Sequence, residues 1–278
     1  MILNEKATMV IPAEYAKFDT DCTMGVDFAT QNLQFAFRTD MEVLKKALPP
    51  IFEPVSPVIS GGIVYNIKNG FTDFYREASM GTMIKYKDTY AFYLLMFVLS
   101  GPGAENATIG GRERFGLPKK LCENTEDIAI ERDGNHVHAY AKRKGVTLMD
   151  VTMELDETLI DEKSPKPGDK SGGLSYYLQP IITPAGDGAD HFARVDMYSN
   201  VAENTMHKFV PAASTIVKCE SSIDDPWGEF PVLESLNGAY TEHHTLMKEL
   251  YLVESFSAEE LMPYLMTTRY DKIAFIKH

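Results

Sequence analysis

Apolar side chains recur at every second position over much of this chain, and that spacing predicts strands. Leu33, Phe35 and Phe37 alternate with Gln34, Ala36 and Arg38, which gives one apolar face. Residues 63–67 and 90–99 are β-branched and aromatic runs, as expected of strands covered on both faces. Residues 127–131 and 135–141 flank Asp133-Gly134, which predicts a hairpin whose turn uses positive φ. Residues 146–155 continue the meander, and 175–183, 193–200 and 214–220 read as further strands. Helices are few. Thr39-Asp40-Met41-Glu42 is a capping-box pattern ahead of Val43, Leu44, Ala47 and Leu48, and Pro49-Pro50 ends that helix. Ser257 to Glu260 repeats the pattern ahead of Leu261, Tyr264 and Leu265, with Pro263 expected to keep that helix short. The polar, Pro/Gly/Lys-rich stretch 161–173 is a surface loop rather than a linker, because strand patterns resume beyond it. The expected fold is mainly antiparallel β with a few flanking helices, and residues 1–278 form a single domain.

Charge narrows the partners. Forty acidic residues against 27 basic ones leave a net charge of −13. Such a surface repels phosphate backbones and anionic lipid, so nucleic acid and membrane are excluded as partners. A small anionic substrate would need local cations in its pocket. Cys22, Cys122 and Cys219 form neither a CxxC pair nor a disulfide framework and read as reduced thiols. The first 18 residues lack a basic region followed by a long apolar one. The apolar run near 90–99 falls far short of the ~20 residues that span a bilayer. The expected compartment is the cytoplasm.

The segment from Gly110-Gly111-Arg112-Glu113 through Gly116-Leu117-Pro118-Lys119-Lys120 stands apart. Its glycines and proline predict an irregular backbone that aims side chains from the end of a strand. A lysine is a nucleophile only when neutral, and at a pKa of ~10.4 about one in a few thousand is neutral at pH 7. Lowering that pKa by ~3 would disfavour the charged form by ~4 kcal/mol. Burial can supply this, and a second cation can add to it. The neutral amine then attacks a ketone. The resulting iminium withdraws electrons, so a bond from the adjacent carbon to a carboxylate breaks readily. By itself a Lys-Lys pair is usually a solvated loop feature, so the surrounding residues carry the argument.

Those residues resemble the active-site segment of the acetoacetate decarboxylase family, which reads G-R-E, a short spacer, then P-K-K. Upstream, Phe37-Arg38-Thr39-Asp40-Met41, Tyr75-Arg76-Glu77 and Tyr93-Leu94-Leu95-Met96 resemble the family's Y-R-T-D-M, its Y-x-E and the strand before the lysine segment. The similarity covers roughly residues 33–155 and, more loosely, 175–265. It implies a closed, cone-like sheet with a funnel-shaped cavity, a homo-oligomer, no metal or organic cofactor, and a small keto acid as substrate. By resemblance Lys119 is the Schiff-base lysine, Lys120 the neighbouring cation and Glu77 the acid/base group. Arg112, Glu113 and Met96 are expected around the substrate. Because adjacent residues of an extended chain point opposite ways, burial rather than Lys120 could be what lowers the Lys119 pKa.

Two family features are missing. Ala29-Thr30 stands where the family has an arginine, and Gly62 where it has a second glutamate. Arg76 should face away from Glu77, which leaves Arg112 to replace the arginine. The leading expectation is decarboxylation of a β-keto acid, acetoacetate giving acetone and CO2. The alternatives are Schiff-base aldol or dehydration chemistry on a pyruvate-like acid, and a ligand binder without catalysis. His136 and His138 share a strand face but lack a third metal ligand, and His243-His244 is equally weak. Met80, Met83, Met96, Phe92, Tyr93 and Phe97 read as core, with some available to wall a pocket.

Overall fold

The computed structural model describes residues 27–69, 73–184 and 190–271. Cys22 and the N-terminal segment lie outside them. The strands are β1 (Asp27–Arg38), β2 (Glu53–Pro54), β3 (Val58–Asn69), β4 (Tyr75–Tyr86), β5 (Thr89–Ser100), β6 (Lys119–Leu121), β7 (Ile128–Asp133), β8 (His136–Arg143), β9 (Val146–Leu155), β10 (Lys170–Pro184), β11 (Asp190–Cys219), β12 (Glu234–Ser235) and β13 (Ala239–Ser257). The helices are α1 (Met41–Ala47), α2 (Ala104–Phe115) and α3 (Ala258–Arg269).

The order β10-β5-β4-β3-β1-β13-β11 closes on itself, because β10 pairs with both β5 and β11. Pairing is antiparallel except for β10 on β5 and β6 on β5. The 30-residue β11 leaves this ring at its C-terminal half and carries β9, β8 and β7 beside it. The mainly β expectation therefore holds, with a closed sheet at its centre.

Alternation builds the core. Leu33, Phe35 and Phe37 lie almost wholly out of water, packed with Ile59, Ile63, Met80 and Leu95. Each such side chain contributes about 1.5–3 kcal/mol by burial. The opposite face of β1 carries Thr30 and Asn32, and it faces a cavity. Asp40, not Thr39, caps α1, its carboxylate accepting from the Glu42 and Val43 amides at 2.7 and 3.2 Å. The hairpin turn falls at Gly134-Asn135, one residue later than expected, with Gly134 at φ 60°.

Three expectations need correction. Residues 104–115 are helical, so Gly110–Phe115 is the end of α2 and not irregular backbone. Pro263 does not shorten α3, which runs for 12 residues through it. Leu261, Met262 and Leu265 bury one side of that helix, and their packing offsets the lost hydrogen bond. The separate strands at 193–200 and 214–220 are parts of the single β11.

Candidate active site

The turn after α2 delivers Lys119. Gly116 adopts φ 68°, ψ 22°; its N–H donates to the Arg112 carbonyl at 3.1 Å, and the Leu117 N–H donates to Gly111 at 3.0 Å. This double bond pattern closes a helix on a left-handed residue. Pro118 prevents the helix from resuming, and Lys119 opens β6 in register with Phe97. Gly111 has a second requirement. A Cβ there would lie 2.6 Å from Lys119 Cδ and 2.8 Å from Cε, so α2 can pass over the lysine stem only because residue 111 has no side chain.

Lys119 Nζ lies 4.0 Å from Glu77 Oε2, 4.8 Å from the Phe97 ring centroid and 5.7 Å from that of Tyr75. Burial drives the Lys119 pKa down, and only Glu77 opposes the shift. Burial drives the Glu77 pKa up, with Lys119 and then Asn66 pulling it back. For both groups desolvation outweighs their attraction, so the pair is biased towards a neutral amine beside a neutral acid. Burial also raises the Tyr75 pKa, and the Tyr177 pKa is pushed up to about 12.

The pair opens into a cavity of about 280 Å³. Its walls come from β1 (Thr30, Asn32), β3 (Val64, Asn66), β4 (Glu77, Ser79), β5 (Leu94, Phe97) and β13 (His243, Thr245, Met247), with α2 as its lid. The interior face of the closed sheet thus supplies uncharged polar groups and apolar walls around one amine and one carboxyl. His243 lies there with its pKa lowered, chiefly by burial and then by His207.

Lys120 takes the other side of β6. Its ammonium donates to the Asp224 carbonyl at 2.7 Å and to Asp225 Oδ1 at 3.1 Å, with Asp271 Oδ1 at 3.5 Å. Arg143 completes the cluster, 2.7 Å from Asp225 Oδ2 and 2.9 Å from Asp271 Oδ2. Lys120 is therefore not among the groups that shift Lys119, as strand alternation requires.

Arg112, Glu113 and Met96 do not line this cavity. Gly111 faces Lys119, so on the helix Ala107 and Arg114 share its face while Arg112 and Glu113 turn outward. Arg112 stacks 5.0 Å over Tyr270, and Glu113 is exposed. Met96 is buried beside Lys120 and Trp227, because Phe97 takes the cavity side. The guanidinium at the cavity is that of Arg114, which burial makes less basic. Arg76 faces away, donating to the carbonyls of Thr125 and Ile128. His136 and His138 pair with Glu154 and Asp150, and no cluster of three metal-binding side chains occurs among the described residues.

Residues 11–255 match the family model for acetoacetate decarboxylase (ADC). The chain belongs to the acetoacetate decarboxylase family. It is 32% identical over 253 residues to a CLA biosynthesis isomerase of Lactiplantibacillus plantarum, covering 88% of this chain and 89% of that one. The crystal structure of acetoacetate decarboxylase from Legionella pneumophila superposes with a TM-score of 0.69 at 15% identity, over 92% of this chain and 99% of the other. The enduracididine biosynthesis enzyme MppR in complex with pyruvate gives 0.63 at 12% identity, over 90% and 93%. The fold is thus shared with an acetoacetate decarboxylase and with an enzyme of enduracididine biosynthesis.

Proposed function

We propose that this protein is a lysine Schiff-base enzyme in which Lys119 condenses with a ketone and Glu77 carries the proton. The observation that supports this most is the buried amine 4.0 Å from a carboxyl only 17% exposed, each shifted towards its neutral form. Neutral Lys119 adds to the carbonyl carbon. The oxygen leaves as water, taking protons from the amine and from the Glu77 carboxyl, and an iminium remains. The Glu77 carboxylate then removes a proton from a carbon conjugated with the iminium, and an enamine forms. Returning that proton to a different carbon moves a C=C bond, and water hydrolyses the iminium to free the isomerised ketone and Lys119. The named activity of the Lactiplantibacillus plantarum relative favours this isomerase outcome, as do the uncharged polar and apolar side chains that β1, β3, β5 and β13 lend the cavity.

Decarboxylation of a β-keto acid is the second reading, and Arg114 at the cavity favours it. In that reaction the C–C bond to the carboxylate supplies the enamine electrons, CO2 departs, and Glu77, reprotonated from water after the iminium forms, protonates the enamine. A pyruvate-type aldol addition would use the same enamine against an aldehyde.

Intact mass after borohydride reduction with a ketone, on wild type and Lys119→Ala, tests the shared step. A reduced adduct is expected on wild type and not on the variant; an adduct that survives the substitution overturns the role of Lys119. Deuterium uptake from D2O into an unsaturated ketone, set against CO2 release from acetoacetate, then separates the two outcomes.

A further inference from the structure

The reaction cavity does not end at Lys119 and Glu77. Asn32, Val64 and Ser79 line it and also line a second, larger groove of about 730 Å³ on the same face of the sheet. The face is continuous along each strand. On β4 the residues running outward from Glu77 are Ser79, Gly81 and Met83; on β3 they run from Asn66 through Val64 and Gly62 to Ser60. From Glu77 to Met83 is six residues, or about 20 Å of strand.

The groove differs from the cavity in charge. Glu77, Arg114 and Lys119 line the cavity, whereas among the described residues no charged side chain lines the groove, in a chain where 24% of residues are charged. Its walls are Phe92, Phe209, Met83 and Val64, with amide and hydroxyl groups between them. Glycine keeps its inner end open. A Cβ on residue 62 would lie 2.8 Å from Asn32 Oδ1, at the junction of the two chambers. At the outer end Met83 is 42% exposed, a large apolar side chain presented to water on a strand interior.

We propose that this groove seats an uncharged apolar chain attached to the ketone, so that the substrate class is a ketone with an extended alkyl or alkenyl arm. The inference rests on the Schiff-base reading of Lys119. A short keto acid would fill the inner cavity and leave the groove unused. An arm entering past Gly62 would remove apolar surface from water, and each methylene it buries favours binding further. Gly62 and Ser79 then set whether an arm can pass from the cavity into the groove.

The test is competitive trapping. Equimolar butanone and 2-dodecanone, each below its solubility limit, are reduced onto the protein with borohydride and weighed by intact mass. The wild type is expected to favour the long ketone at least tenfold. Gly62→Leu, which blocks the junction, and Met83→Glu, which puts a charge in the outer groove, are each expected to cut that ratio several-fold. Circular dichroism and sedimentation are followed on all three proteins. Equal trapping of the two ketones by wild type, or a ratio unchanged in both variants, overturns the inference alone. So does an oligomer that Met83→Glu dissociates with the ratio unmoved, because the groove would then be a contact between copies. A wild type that traps neither ketone overturns the Schiff-base reading and this inference with it.

Discussion

The two faces of β6 bury one lysine each, Lys119 at 5% exposure and Lys120 at 6%, and their surroundings are opposite. On the Lys120 side Asp225, Asp271 and the Asp224 carbonyl lie within 3.5 Å, and Arg143 shares the two carboxylates. On the Lys119 side the nearest carboxylate is 4.0 Å away and its own pKa is raised, while Phe97, Tyr75 and the glycine face of α2 fill the rest. Burial by itself is therefore uninformative about a lysine. Dense partners make a fixed cation that organises structure. A single carboxyl, itself desolvated, leaves an amine whose charge is negotiable, which is what nucleophilic chemistry requires.

On the Lys119 side the expected effects are on turnover. In the proposed mechanism Glu77→Gln removes the proton carrier, and it should lower turnover by about 10²–10⁴-fold while the reduced Lys119 adduct still forms. Glu77 is the one group holding the Lys119 pKa up, so the variant's adduct formation should persist to lower pH than the wild type's. Stability shifts as well. The Glu77 pKa rises on folding, so its contribution is present below the ordinary value of 4.5 and is lost as pH climbs through the folded value. The Lys119 pKa falls on folding, so stability grows as pH rises from that lowered value towards 10.5. Calorimetric Tm against pH should show both limbs in wild type and only the rising one in Glu77→Gln. A falling limb retained in the variant would show that another group carries it.

How much of this was legible beforehand follows the range of the interactions. Leu33, Phe35 and Phe37 announce β1 because alternation is a local signal, and Asp40-Met41-Glu42 announces α1 for the same reason. Lys119 and Glu77 were legible only through the motif around them, since nothing local in the sequence states that residues 42 apart meet across β5. The helix α2 was hidden because its inner face is Ala104, Ala107, Gly110 and Gly111, chosen small to cover a lysine rather than apolar to cover a core. Without that helical periodicity the sequence points to Arg112 rather than Arg114 at the cavity. The length of β11 and β13 was also hidden. Much of β13 beyond residue 246 is exposed and lacks alternation, and its register is set by backbone pairing to β11. His243 carries no sequence cue beyond its neighbour and becomes notable only when β13 turns it into the cavity.

On the Lys120 side the expected effects are on stability. Lys120→Met leaves buried Asp225 without one of its cations and should cost about 3–5 kcal/mol in urea denaturation. Lys119→Met, at the same depth, replaces an amine already biased to neutrality by a side chain of similar volume and should change stability by less than about 1.5 kcal/mol. Equal losses in the two variants would remove the distinction drawn between the two faces.

The smallest effect tests where the Lys120 cluster ends. Lys144 contacts Asp224 and Asp271, each at 2.6 Å, distances as short as any ion pair within the cluster. Its side chain is 39% exposed, against 7% for Arg143. Water therefore solvates the Lys144 ammonium in the folded and unfolded states alike, and ordering its long side chain offsets part of the attraction. Lys144→Ala should accordingly cost less than about 1 kcal/mol at moderate salt, and added salt should shrink that difference. A loss comparable to that of Lys120→Met would mean that Asp271 depends on Lys144 as much as on Arg143, and that the buried cluster extends to the surface.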